Sequence, residues 1–182
     1  MRILLHTCCG PCSCHPVSSL RLSGHRPTAF FFNPNIHPYR EFERRLEAMK
    51  LFARSEALDL LIDDRYDLRS LLEKMLRSPE KPERCLSCYR LRLGETARTC
   101  REGAFDAFST TLLVSPYQYH DLVRKAGEEA AADHGVRFLY NDFRNGWAET
   151  IATAREKRLY RQGYCGCIFS EVERYRGRRR VE

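Results

Sequence analysis

Eight of the nine cysteines in this chain fall in three tight groups: Cys8/Cys9/Cys12/Cys14, Cys85/Cys88 and Cys165/Cys167. A secreted disulfide scaffold is smaller, spaces its cysteines more evenly and rarely sets two side by side. The groups therefore read as metal ligands or redox thiols in a reducing compartment. Cys100 stands alone and reads as a small buried hydrophobe. A length of 182 residues suits one domain, and 43% apolar against 30% charged residues supports a buried core and excludes wholesale disorder. No apolar run approaches the ~20 residues needed to cross a bilayer. The start, Met1-Arg2-Ile3-Leu4-Leu5, meets His6 and a cysteine cluster at once, so no signal-peptide apolar region forms. A cytoplasmic protein without membrane association is expected.

Hydrophobic patterning predicts strands alternating with helices. Strands are expected at Arg2–His6, Thr28–Phe32, Leu58–Ile62, Phe105–Val114 and Val136–Tyr140. Helices are expected at about Pro16–Leu22, Tyr39–Leu58, Leu68–Leu76, Leu86–Arg101, from Ser115-Pro116 to about His134, Trp147–Lys157 and Ile168–Arg176. Short, continuously apolar strands separated by helices are the pattern of a parallel sheet covered on both faces. No repeat or low-complexity linker interrupts it, so residues 1–182 are read as a single α/β domain. In such sheets ligands bind beyond the carboxyl ends of the strands, and Cys8-Cys9-Gly10-Pro11-Cys12 follows the first strand directly.

Gly10 and Pro11 force a turn that brings three thiols within five residues. Cys85-Leu86-Ser87-Cys88 has the spacing at which two thiolates reach one metal, and a helix N-terminus there would favour the thiolate. Four thiolates bind zinc or an iron–sulfur cluster. A structural zinc needs only four cysteines and usually sits in a small ribbon. More than four, with one group on the functional edge of an α/β sheet, favours iron–sulfur. In Cys165-Gly166-Cys167 the glycine permits a tight turn, suited to a strained, easily reduced disulfide or to two ligands of a second metal.

Charge is unevenly spread. The net charge is +7; nine basic residues stand against three acidic between Arg155 and Arg180, while residues 1–154 carry 22 against 20. The end of the chain, 174–180, is Arg-rich, and Arg offers a planar fork that suits phosphate.

Five ordered motifs then resemble one family. They are Cys8-Cys9-Gly10-Pro11-Cys12, Asn33-Pro34-Asn35-Ile36, Arg84-Cys85-Leu86-Ser87-Cys88-Tyr89, Thr110-Thr111-Leu112-Leu113-Val114-Ser115-Pro116 and Tyr164-Cys165-Gly166-Cys167-Ile168-Phe169-Ser170. Together they resemble the epoxyqueuosine reductase family of the QueH type over nearly the whole chain. The resemblance implies a Rossmann-like α/β domain with a mainly parallel sheet, related to nucleotide-binding ATP pyrophosphatase-like folds but without their phosphate loop. It implies reduction of the epoxide of epoxyqueuosine to the alkene at the wobble position of tRNA, with an external electron donor. Carried over, the [4Fe–4S] ligands match Cys8, Cys9, Cys85 and Cys88, and the redox pair matches Cys165 and Cys167. The family holds room for a second mononuclear iron, with cysteine or aspartate at the place of Cys12. Cys14 matches no motif. The Arg-rich end suits the tRNA phosphates. Two other functions fit part of the pattern: a zinc-stabilised, non-catalytic RNA-binding module, and a thiol–disulfide oxidoreductase using Cys85-Leu86-Ser87-Cys88.

Overall fold

The computed structural model describes residues 1–176. Arg178, Arg179 and Arg180, the core of the expected phosphate-binding end, lie outside the described residues. Four strands form one sheet: β1 (Arg2–His6), β2 (Arg26–Phe32), β3 (Leu60–Asp63) and β4 (Ala107–Thr110). Their order is β3-β2-β1-β4 and every pair is parallel, with His6 opposite Phe30 on one side and Thr110 on the other. The central strand is sealed on both faces, with Ile3, Leu4 and Leu5 wholly buried, as continuous apolar runs in parallel sheets require. The expected Rossmann-like α/β fold with a mainly parallel sheet is the fold this chain has.

Helices α1 (Gly10–Leu22), α2 (Tyr39–Ser55), α3 (Leu68–Leu76), α4 (Glu83–Glu102), α5 (His120–His134), α6 (Trp147–Glu156) and α7 (Ile168–Arg176) connect and cover the strands. α1 packs with α2 and α6, and α4 packs with α5. The expected span for α3 agrees with the structure to the residue, and α7 begins at Ile168 as expected.

Five expectations are corrected. α1 begins at Gly10 rather than Pro16, because Pro11 sits in the first helical turn, where its missing N–H would have no partner anyway. Pro16 lies inside the helix and cannot donate to the carbonyl four residues back. α4 begins at Glu83 rather than Leu86, so Cys85 sits in its first turn and Cys88 in its second. The strand expected over Phe105–Val114 stops at Thr110 and turns into a 3-10 helix over Thr111–Val114, and α5 waits until His120. The strand expected at Val136–Tyr140 reduces to one parallel bridge, Phe108 to Phe138; β4 is only four residues long and leaves little to pair with.

Gly10 sets how closely α1 approaches α2. A Cβ there would stand 2.4 Å from the Ala48 carbonyl oxygen, a backbone atom that cannot step aside. Gly10→Ala is expected to destabilise the protein by about 1–3 kcal/mol through overpacking. Gly94→Ala on α4, where nothing lies within 4 Å, should be neutral or stabilising by about 0.5–1 kcal/mol. Urea unfolding of the two variants checks both signs.

The end of the described chain is tied down from two sides. Buried Arg84, next to Cys85, donates to the Pro79 carbonyl, pairs with Glu173 on α7 at 2.6 Å, and lies over the Phe169 ring at 4.9 Å. Buried Arg45 on α2 donates to the carbonyl oxygens of Tyr164 and Cys165, both at 3.0 Å, while Glu41 accepts from its Nε at 2.7 Å. Gly166 has φ +116, and a Cβ there would meet the Arg45 guanidinium and Ile36 at 3.0 Å, so glycine suits this turn on both counts.

Candidate metal centre

The carboxyl ends of β1, β2 and β4 are stitched together before the first cysteine. His6, wholly buried, pairs through Nδ1 with Thr110 Oγ1 at 2.9 Å and through Nε2 with the Phe32 carbonyl at 3.3 Å. Asn33 donates to the Thr7 carbonyl at 2.8 Å, and the Cys8 amide donates to Thr111 Oγ1 at 3.2 Å. Burial, then the charge of Arg92, lowers the His6 pKa to about 3. This imidazole is therefore neutral across the physiological range and belongs to the frame rather than to proton transfer. Tyr164 likewise keeps its proton: burial raises its pKa, and its hydroxyl donates to the His37 carbonyl.

On that frame stand Cys8, Cys9 at the N-cap of α1, and Cys12 one turn on. Their sulfurs all lie within 4.8 Å of one another, with 3.7 Å between those of Cys8 and Cys9, and all three side chains are buried. Among the described residues this is the group of histidine, cysteine and carboxylate atoms gathered closely enough to hold a metal ion. Hydrogen bonds from Cys12 and then Cys9 hold the Cys8 thiol well below its ordinary pKa, against the effect of burial. Burial raises Cys9, and the bond given to Cys8 raises Cys12. Cys8 is thus the most acidic of the three sulfurs, and loading a metal there would release protons. Cys14, two residues beyond Cys12, donates to the Gly10 carbonyl at 3.7 Å instead, and burial pushes it up to about 12. Cys100 is wholly buried in the core.

The other two groups act on each other electrostatically. Burial, then Cys165 and Cys88, pushes Cys85 up to about 11; burial and Cys165 also raise Cys88, on which Arg92 acts the opposite way. Cys165 is exposed, with its sulfur 3.2 Å from Ser170 Oγ, whereas Cys167 is buried in a small cluster with Leu71 and Met75 of α3. Donation from Cys167 lowers the Cys165 pKa well below the ordinary thiol value and raises that of Cys167. Cys165 is thus the more acidic thiol of the pair.

Arg92, four residues after Cys88 on α4, belongs to all three groups. Its side chain is buried, its Nε has no partner among the described residues, and its guanidinium lies 6.0 Å from the Tyr89 ring centroid. Burial works against its charge, yet Cys88, Cys8 and Cys165 together raise its pKa. A buried guanidinium requires negative charge nearby, and here the cysteine sulfurs are the groups placed to carry it. Such a cation, together with an all-sulfur donor set, fits a thiophilic metal centre carrying net negative charge, the class to which iron–sulfur clusters and cysteine-bound zinc belong. Sequence reading passed over Arg92, Arg45 and Gln162. The spacing of Cys88 and Arg92 on one helix face, and of Glu41 and Arg45 on another, is the only local signal for either arginine.

A family model described as epoxyqueuosine reductase QueH matches residues 3–173. The chain belongs to this family. Curated relatives with that description share 33% identity over 174 residues in Dehalococcoides mccartyi, covering 96% of this chain and 94% of the relative. In Acinetobacter baylyi the figures are 33% over 192 residues, covering 100% and 88%. In Thermotoga maritima they are 32% over 180 residues, covering 94% and 91%. As a member of the epoxyqueuosine reductase family the chain is an oxidoreductase. A solved structure described as a predicted subunit of a tRNA methyltransferase from Methanocaldococcus jannaschii superposes with a TM-score of 0.53 at 11% identity, covering 85% of this chain and 76% of that one. At that identity the likeness is one of fold. Among the described residues no helix is long and apolar enough to cross a membrane.

Proposed function

We propose that this chain reduces the epoxide of epoxyqueuosine in tRNA to the alkene of queuosine, as one cytoplasmic domain spanning residues 1–182. The observation that carries the reading is the buried sulfur triad at the carboxyl edge of the sheet, in a chain of the epoxyqueuosine reductase family. In this reading Cys8, Cys9, Cys85 and Cys88 hold a [4Fe–4S] cluster, which supplies electrons one at a time. Cys12, against the first two sulfurs, is free to serve a second iron.

Converting an epoxide to an alkene takes two electrons and two protons and releases the oxygen as water. Cys165 and Cys167 match that need: a dithiol that closes to a disulfide gives up two electrons and two protons, and an external donor restores it. Arg45 supports this role by gripping the carbonyls of Tyr164 and Cys165, which fixes where the pair is presented. Arg92 supports it by balancing negative charge among the three cysteine groups. The tRNA backbone meets the positive charge of the C-terminal end, so binding weakens as salt rises.

The test is anaerobic purification with iron, sulfide and zinc analysis, then turnover on tRNA carrying epoxyqueuosine, read as the nucleoside released by digestion. Iron with sulfide, visible thiolate-to-iron absorbance and queuosine formation are expected. Zinc alone, with no turnover, would replace this reading with the non-catalytic module. Zinc-free and iron-free protein that exchanges disulfides would replace it with the oxidoreductase using Cys85 and Cys88.

A further inference from the structure

Gln162 precedes Tyr164-Cys165-Gly166-Cys167 yet reaches back to the first cysteine group. Its amide nitrogen Nε2 lies 3.1 Å from the Cys9 sulfur and 3.5 Å from the Cys12 sulfur. Its Oε1 is buried and has no hydrogen-bond partner among the described residues. A buried amide oxygen left unpaired is costly, and a neutral N–H···S bond returns little against it. The arrangement is favourable when the sulfurs carry charge, since charge-assisted bonds are about twice as strong as neutral ones. The reversed amide could accept an S–H from either cysteine while it is protonated, but it would strand both N–H groups and set its oxygen against the sulfurs once they bind metal. The side chain is thus shaped for Cys9 and Cys12 as deprotonated, metal-bound sulfurs.

We infer that Gln162 is a positioning residue of the metal centre, donating its two amide N–H groups to the sulfurs of Cys9 and Cys12 and so strengthening metal binding and easing reduction of the loaded centre. This rests on the metal reading proposed above. Hydrogen bonds to ligating sulfur stabilise the more negative, reduced state and are among the groups around a site that tune its potential. Because Gln162 is also three residues from Cys165, it couples the first cysteine group to the third through a single side chain.

The experiment compares wild type, Gln162→Leu, which removes the donors, and Gln162→Glu, which keeps the shape but replaces the donors with a negative charge. Thermal unfolding of the metal-free chains reports folding, and two readouts report the centre: Co2+ affinity from the thiolate-to-cobalt bands of the metal-free protein, and the midpoint potential of the iron-loaded protein. Co2+ affinity should fall about 10- to 100-fold in Gln162→Leu, the range for residues that support ligands, and further in Gln162→Glu. The midpoint potential should shift downward in the same order. Leu and Glu variants that match wild type in both readouts would overturn the inference while leaving the metal reading intact. Wild-type protein that takes up neither Co2+ nor iron would overturn the metal reading and this inference with it. Should Gln162→Leu fail to fold, Gln162→Glu decides, because it preserves side-chain volume.

Discussion

Serine at Cys85 or Cys88 is expected to strip iron and sulfide from the protein and to lower its unfolding temperature. A serine hydroxyl is a poor ligand for a thiophilic metal, and the binding free energy of the metal is also folding free energy. For a chain of this size each kcal/mol lost lowers the midpoint by about 2–4 °C. The same result is expected at Cys8 and Cys9, whose sulfurs stand 3.7 Å apart in a buried space. Cys12 shares that space and is the informative comparison, since all three sulfurs fall within 4.8 Å. Cys12→Ser should keep the cluster and lose at most one iron. Metal and sulfide analysis of the five variants decides it. Full iron and sulfide in Cys85→Ser or Cys88→Ser would break the assignment, and loss of the whole cluster in Cys12→Ser would bring Cys12 into the ligand set in place of one of them.

Serine at Cys165 or Cys167 should have the opposite signature, with turnover gone and the cluster kept. Removing one member of a unit that acts together costs on the order of 10⁴-fold in rate. The cluster's absorbance should persist because its four ligands are untouched, and tRNA should still bind. Buried Cys167 packs with Leu71 and Met75, so Cys167→Ser adds a modest stability loss from a poorly paired hydroxyl. Exposed Cys165 should lose activity with little change in stability, which separates chemistry from folding. Unchanged iron in the inactive variants would identify a redox dithiol; loss of one iron would identify the ligands of a second metal. Near-normal turnover in both would refute the catalytic role, and loss of the cluster itself would make these residues cluster ligands.

Local sequence determined a good part of this protein. The apolar run Arg2–His6, buried along the centre of the sheet, and helices Leu68–Leu76 and Ile168–Arg176 were legible because propensity, periodicity and breaker residues agreed there. The three cysteine groups were legible because spacing within a few residues is a property of the chain itself. Where local signals conflicted, packing decided. Gly10 and Pro11 argued for a turn through the first cysteines, yet contact with the backbone of α2 at Ala48 and with α6 carries α1 back to Gly10, which places Cys12 beside Cys8 and Cys9. Val136–Tyr140 has strand composition but finds only a four-residue neighbour. The choice of partners across the site belonged to tertiary structure alone. Gln162 reaches a sulfur 153 residues away, and Arg45 grips a carbonyl 120 residues away. Glutamine and arginine are ordinary surface residues by composition, and only the closing of the fold takes them out of water. Once they are buried, unpaired donors and charge become costly enough to require the sulfurs and carbonyls they face.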